Sequence, residues 1–122
     1  KVSEVSFDEV IVKTALGEIH GGMTFQGIQR GDSVFCSVRP EALKFFDGDF
    51  TLGENILSGR IRSVVYLGEV EQYTVELADG TKVKLIEFDP LEQKAYPGED
   101  VRIRVSPSRV VLLRDEGESP YV

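Results

Sequence analysis

The sequence predicts an all-β protein built from short antiparallel strands. Three features predict it: apolar and polar residues alternate with period two, no long stretch carries helical spacing, and Gly or Pro interrupts the apolar runs at short intervals. In chain order, strands are expected over residues 10–13 and 16–20. A third begins at Val34, with Val34, Cys36 and Val38 on an inward face and Phe35, Ser37 and Arg39 opposite. Further strands are expected over residues 56–67, 70–78, 82–87, 101–105 and 110–113. The clearest is the fourth of these, where Val101, Ile103 and Val105 point one way and Arg102 and Arg104 the other. About eight such strands suggest a small barrel or a pair of abutting barrels, because closure removes unpaired edges, and an OB-like barrel fits best.

Asp79-Gly80 is the strongest turn signal, since glycine accepts the positive φ that a tight hairpin requires. A two-residue loop would set Val75 opposite Lys84 and Leu77 opposite Lys82. One more loop residue places Val75 and Leu77 on the face shared with Val83 and Leu85, so an odd loop with a glycine bulge is expected. The segment 39–46 leaves a strand and runs into a polar, Gly-bearing loop over 47–55, and the strand-free interval 40–55 would separate two halves. No internal repeat, low-complexity tract or linker is evident, and the tail 114–122 is expected to fray.

Composition narrows the function. The chain has 122 residues, 41% of them hydrophobic, enough for one core or two small shared halves. Its 14 Lys and Arg against 21 Asp and Glu give a net charge of −7, which repels phosphate backbones and anionic lipid and argues against a nucleic-acid partner. One cysteine, Cys36, leaves no internal disulfide or Cys cluster and reads as intracellular, and one histidine, His20, leaves no paired-His metal site and little material for a Ser-His-Asp triad. No apolar run is long enough to cross a bilayer as a helix.

Four ordered motifs carry a resemblance. They are Ser37-Val38-Arg39-Pro40-Glu41; then Val65-Tyr66-Leu67-Gly68-Glu69 with Gln72-Tyr73-Thr74-Val75; then Leu77-Ala78-Asp79-Gly80-Thr81; and Pro97-Gly98-Glu99-Asp100-Val101 leading to Pro107-Ser108-Arg109-Val110-Val111-Leu112-Leu113. Each is common alone, and their order and spacing are specific. Together they resemble the C-terminal regulatory TOBE domain of ATP-binding subunits of ABC importers for sugars, polyamines or ferric iron, over nearly the whole chain. The resemblance implies an OB-like domain that follows an ATPase core, helps two subunits form a homodimer, receives a regulatory signal in some members and catalyses nothing. The chain holds no Gly-x-x-x-x-Gly-Lys-Ser/Thr loop, so ATP and magnesium are expected only in a nucleotide-binding domain outside it. The expectation is a single domain over 1–122, a fragment starting after that nucleotide domain. Permease subunits would be met through the missing ATPase part, on the cytoplasmic face of the membrane and without insertion. The alternative is a module that senses an oxyanion or transported substrate.

The candidate interface or regulatory residues are Arg39, Pro40, Glu41, Phe45, Phe46, Tyr66, Gly68 and Tyr73, with Asp79 and Gly80 as a structural turn. Arg39 and Glu41 offer paired charges for recognition, and the plainer reading is a local ion pair that anchors the turn. Asp47, Asp49 and Glu54 lack calcium-loop spacing and read as a solvated acidic loop. Glu69, Glu71 and Glu76 read as surface charges, Tyr66 and Tyr73 as packing residues, and His20 and Cys36 as structural. Phe45 and Phe46 either cap the barrel or enter a dimer contact.

Overall fold

A computed structural model describes residues 1–22, 25–46, 54–88, 90 and 92–115. Among these there are ten strands and no α-helix: β1 (Val2–Val5), β2 (Val10–Thr14), β3 (Gly17–Gly21), β4 (Val34–Ser37), β5 (Lys44–Phe45), β6 (Asn55–Tyr66), β7 (Val70–Leu77), β8 (Lys82–Phe88), β9 (Asp100–Val105) and β10 (Val111–Arg114). Two short 3-10 turns, Pro40–Ala42 and Pro107–Arg109, each open on a proline whose fixed φ suits a first helical position. The all-β expectation holds, and eight strands fall where alternation placed them. The sequence reading missed β1 and the two-residue β5. The expected frayed tail begins too early, because Arg114 lies in β10 and the Asp115 N–H donates to the Ser33 carbonyl at 3.1 Å.

The chain forms two compact units, one from Lys1–Val38 with Ser106–Val122, the other from Arg39–Val105. The second carries a five-stranded antiparallel sheet in the order β5-β9-β6-β7-β8. The sheet curls until its end strands β5 and β8 come into contact, and the Pro40–Ala42 turn packs on β8. Ile61, Tyr73, Val75, Leu85 and Ile103 fill its interior and are fully buried. A bulge beside Arg62, where Ile61 pairs with Val75 and Ser63 with Thr74, supplies the extra bend. The first unit holds the sheet β1-β2-β3 and the pair β4-β10 around Val10, Val12, Val110 and Leu112.

The two units repeat one plan, against the expectation of no repeat. Gly31 and Gly98, 67 positions apart, have φ of +93° and +94°. The Gly31 N–H donates to Val2 and the Val2 N–H to Asp32, both at 2.8 Å; Gly98 donates to Ile61 at 2.8 Å and Ile61 to Glu99 at 2.9 Å. Asp32 caps the Gln29 N–H at 2.9 Å as Glu99 caps that of Tyr96 at 2.8 Å. The same offset relates β4 with Pro40 to β9 with Pro107. The final strands are exchanged: β5 pairs with β9 through Lys44 opposite Arg104, and β10 with β4 through Val111 opposite Ser37, equivalent registers in the two repeats. The repeat stayed hidden because what it shares is hydrogen-bond geometry and a few turn residues.

Alternation also misplaces Cys36, which is exposed. Among the described strands β4 has only β10 as a ladder partner, so its pleat does not decide which face is covered. Enough protein surrounds the sulfur that desolvation raises the thiol above its ordinary range, opposed by the terminal ammonium of Lys1.

Candidate functional site

The hairpin of β7 and β8 has the odd loop that the apolar pattern requires. Val75 pairs with Val83 and Tyr73 with Leu85, the Leu77 N–H donates to Thr81 at 2.7 Å, and Ala78, Asp79 and Gly80 form the loop, with Gly80 at φ +90°. Asp79 accepts from the Thr81 N–H and hydroxyl, both at 2.9 Å, and these bonds to its charged form hold its carboxyl below the ordinary range. At the other end of β7, Gly68 takes φ +86° at the first central position of a two-residue turn, where the Leu67 N–H donates to Val70 at 2.9 Å.

Because β7 alternates, Glu71 follows Tyr73, Val75 and Leu77 onto the covered face, where all four are buried. This corrects the reading of Glu71 as a surface charge. The Tyr73 hydroxyl donates to Glu71 Oε2 at 2.9 Å and accepts the Lys94 N–H at 3.0 Å, so it joins β7 to the segment before β9. Desolvation raises the Tyr73 phenol above its ordinary range, aided by the Glu71 carboxylate and opposed by the Lys94 N–H. Lys94 Nζ lies 3.7 Å from Glu87, the residue opposite Glu71. Phe45 meets Tyr73 edge to face, with centroids 4.9 Å apart.

The remaining candidates do not converge. Phe46 is buried beneath the Arg102 guanidinium, 5.0 Å from its ring, and Phe45 is half-buried, so both cover the barrel. Tyr73 packs as expected, whereas Tyr66 is 72% exposed. Arg39 lies 3.6 Å from Glu41 and is 83% exposed, a local ion pair at the start of the Pro40–Ala42 turn. Glu54 lies 3.8 Å from Arg104, Arg60 3.0 Å from Asp100 and Arg62 3.8 Å from Glu76. His20 is hydrogen-bonded to Glu9. Asp47 and Asp49 lie outside the described residues.

Sequence reasoning missed a groove of about 830 Å³ in the second unit, lined among others by Phe45, Phe46, Ser58, Gly59, Lys94 and Arg102. Gly59 is its one legible signal, an isolated glycine inside a strand. A Cβ there would lie 2.6 Å from Val75 Cγ1 and 2.8 Å from the Glu76 carbonyl oxygen. Arg102 has no carboxylate at ion-pair distance among the described residues, so its guanidinium retains donors for an anion, although Glu92 and Asp100 line the same groove and oppose negative charge there. Among the described residues no cluster of three or more His, Cys, Asp or Glu is placed to hold a metal. No described helix is long and apolar enough to cross a membrane.

Comparison with known proteins agrees with this architecture. The spermidine/putrescine import ATP-binding protein PotA of Rubrobacter xylanophilus is 27% identical over 120 residues; the match takes in 92% of this chain and only 29% of that protein. The cytoplasmic molybdate-binding protein ModG, in a crystal form with molybdate bound, superposes with a TM-score of 0.79 at 19% identity, over 93% of this chain and 89% of that one. The latter likeness is one of fold. Residues 36–113, well over half of the chain, match the TOBE domain family, and the chain belongs to that family.

Proposed function

We propose that this TOBE domain is a non-catalytic regulatory and dimerisation module of the ATP-binding subunit of an ABC importer. The observation that carries this reading is the family match together with similarity to part of an import ATP-binding protein. ATP and magnesium are assigned to a nucleotide-binding domain outside this chain, and permease contacts to that domain. The module then works on the cytoplasmic side of the membrane without entering it. Its mechanism is mechanical: paired modules keep two attached ATPase cores at high effective concentration, and a signal that changes the pairing biases closure around ATP. The test compares dimerisation of a full subunit with that of a subunit lacking this domain. Weaker dimerisation of the shortened subunit is expected. Unaltered dimerisation, joined with a strictly monomeric isolated domain, overturns the reading.

A second reading, small-ligand sensing, is favoured by one observation, that Arg102 makes no ion pair among the described residues and lines the groove with Ser58 and Lys94; Glu92 and Asp100 in the same lining weigh against an anion. The molybdate-bound structural relative makes an oxyanion the first probe. Calorimetry with molybdate, sulfate, spermidine and putrescine separates the readings. Heat with one of them that is lost in Arg102→Ala supports sensing, and no heat with any leaves the dimerisation reading alone.

A further inference from the structure

The outer face of the β6-β7-β8 ladder ends in two uncharged rows. Leu67 faces Val70 across the Gly68 turn, and Val70 pairs with Phe88; one row inward, Val65 pairs with Gln72 and Gln72 with Ile86. Directly opposed residues share a face, and alternation sets these six on the face opposite Glu71 and Tyr73. Leu67 is 54% exposed, Phe88 59% and Val65 44%. Five of the six side chains are apolar and none is charged, in a chain of net charge −7. A contiguous apolar face of this kind marks a docking surface.

We propose that this face is where two copies of the chain meet, an inference that rests on the dimerisation reading above. The rows are symmetric about β7, which makes them self-complementary. A twofold axis between the two faces, running along β7, sets Leu67 of one copy on Phe88 of the other, twice. It also sets Val65 on Ile86 twice, Val70 on its own counterpart, and Gln72 on Gln72 for a mutual amide hydrogen bond. The next row brings Ser63 toward Lys84, whose Nζ already donates to Thr74 at 2.7 Å, so no like charges meet in these three rows. Two chains of net charge −7 still repel one another at long range, a repulsion that salt screens, and the uncharged rows add no local clash to it. Stable interfaces engage about 20–30 residues a side, and six fall well short, so the contact is reversible alone and strengthened when attached domains raise the local concentration.

Sedimentation velocity of the 122-residue chain from roughly 10 μM to roughly 1 mM tests this, a range chosen for a weak dissociation constant. The parent is expected to associate as concentration rises. Leu67→Asp and Phe88→Lys are each expected to weaken association about tenfold or more, and combining them in one chain is expected to restore it, because each introduced carboxylate meets an introduced ammonium across the twofold. Tyr66→Asp, which adds the same charge on the opposite face of the same hairpin, is expected to leave association unchanged. Both targeted side chains are more than half exposed, so the fold tolerates the changes. If the parent associates and both single variants associate equally well, this face is wrong and the dimerisation reading stands. A parent that stays monomeric throughout overturns the face, and the dimerisation reading is then decided by comparing the full subunit with the subunit lacking this domain.

Discussion

Tyr73 shows how one side chain ties two parts of a barrel together. Its ring fills the interior of the second unit, and its hydroxyl serves a buried carboxylate and a backbone N–H. Tyr73→Phe keeps the ring and leaves both groups short of a partner, so a loss of about 1–3 kcal/mol is expected in urea denaturation. A midpoint equal to that of the parent would show that water replaces the hydroxyl at no cost. The aromatic body was legible in the sequence, since a tyrosine between Gln72 and Thr74 in an alternating strand points inward. The pairing with Glu71 was not, because charge argued for the surface while position argued for the interior. Position prevailed, helped by the adjacent hydroxyl. Arg39 was the simpler case: the plainer reading, a local ion pair at the turn, is what the structure contains, with Glu41 two residues on and 3.6 Å away.

At the scale of the element, the β7-β8 hairpin was the most readable feature, because a one-residue slip would have turned Val75 and Leu77 toward water. Gly80 has φ of +90°, so Gly80→Val forces a β-branched residue into a conformation it resists. A loss of about 1 kcal/mol or more is expected from the shift in thermal or urea midpoint. Asp79 makes the same loop sensitive to acid. Its folded-state carboxyl is depressed by the Thr81 bonds, so its contribution is complete above the ordinary carboxylate pKa and fades as pH falls through the lower, folded-state value. The midpoint difference between parent and Asp79→Ala should therefore be widest near neutral pH and close up as pH falls below the ordinary carboxylate range; a difference constant with pH would show that ionisation plays no part. Shorter elements were less legible. The two residues of β5 cannot display a period, and β4, paired on one side only, has a pleat whose sides are not told apart by alternation.

At the scale of the whole molecule, the order of segments makes the two units unequal. The second is one continuous stretch, whereas the first is assembled from both ends of the chain, with β4 and β10 meeting across everything between them. Unfolding the second unit turns that intervening stretch into a long flexible loop, and closing it costs on the order of a few kcal/mol. Leu85→Ala in the second unit and Leu112→Ala in the first each remove a buried side chain and should cost about 2–5 kcal/mol locally. Hydrogen exchange should show Leu85→Ala lowering protection in both units and Leu112→Ala chiefly in the first; equal and mutual effects would contradict the asymmetry. The sequence suggested two halves divided within 40–55, but the described boundary falls at residues 38 and 39 and again at 105 and 106, because each repeat lends out its closing strand.

A peptide ending after β5 and another starting at β6 would each possess a strand that closes the other's ladder and lack one for its own. Neither alone could complete its ladder, yet mixed together they hold every piece. Because the two registers are equivalent, a single repeat is expected to close its ladder against a second copy of itself, by the same exchange made between chains.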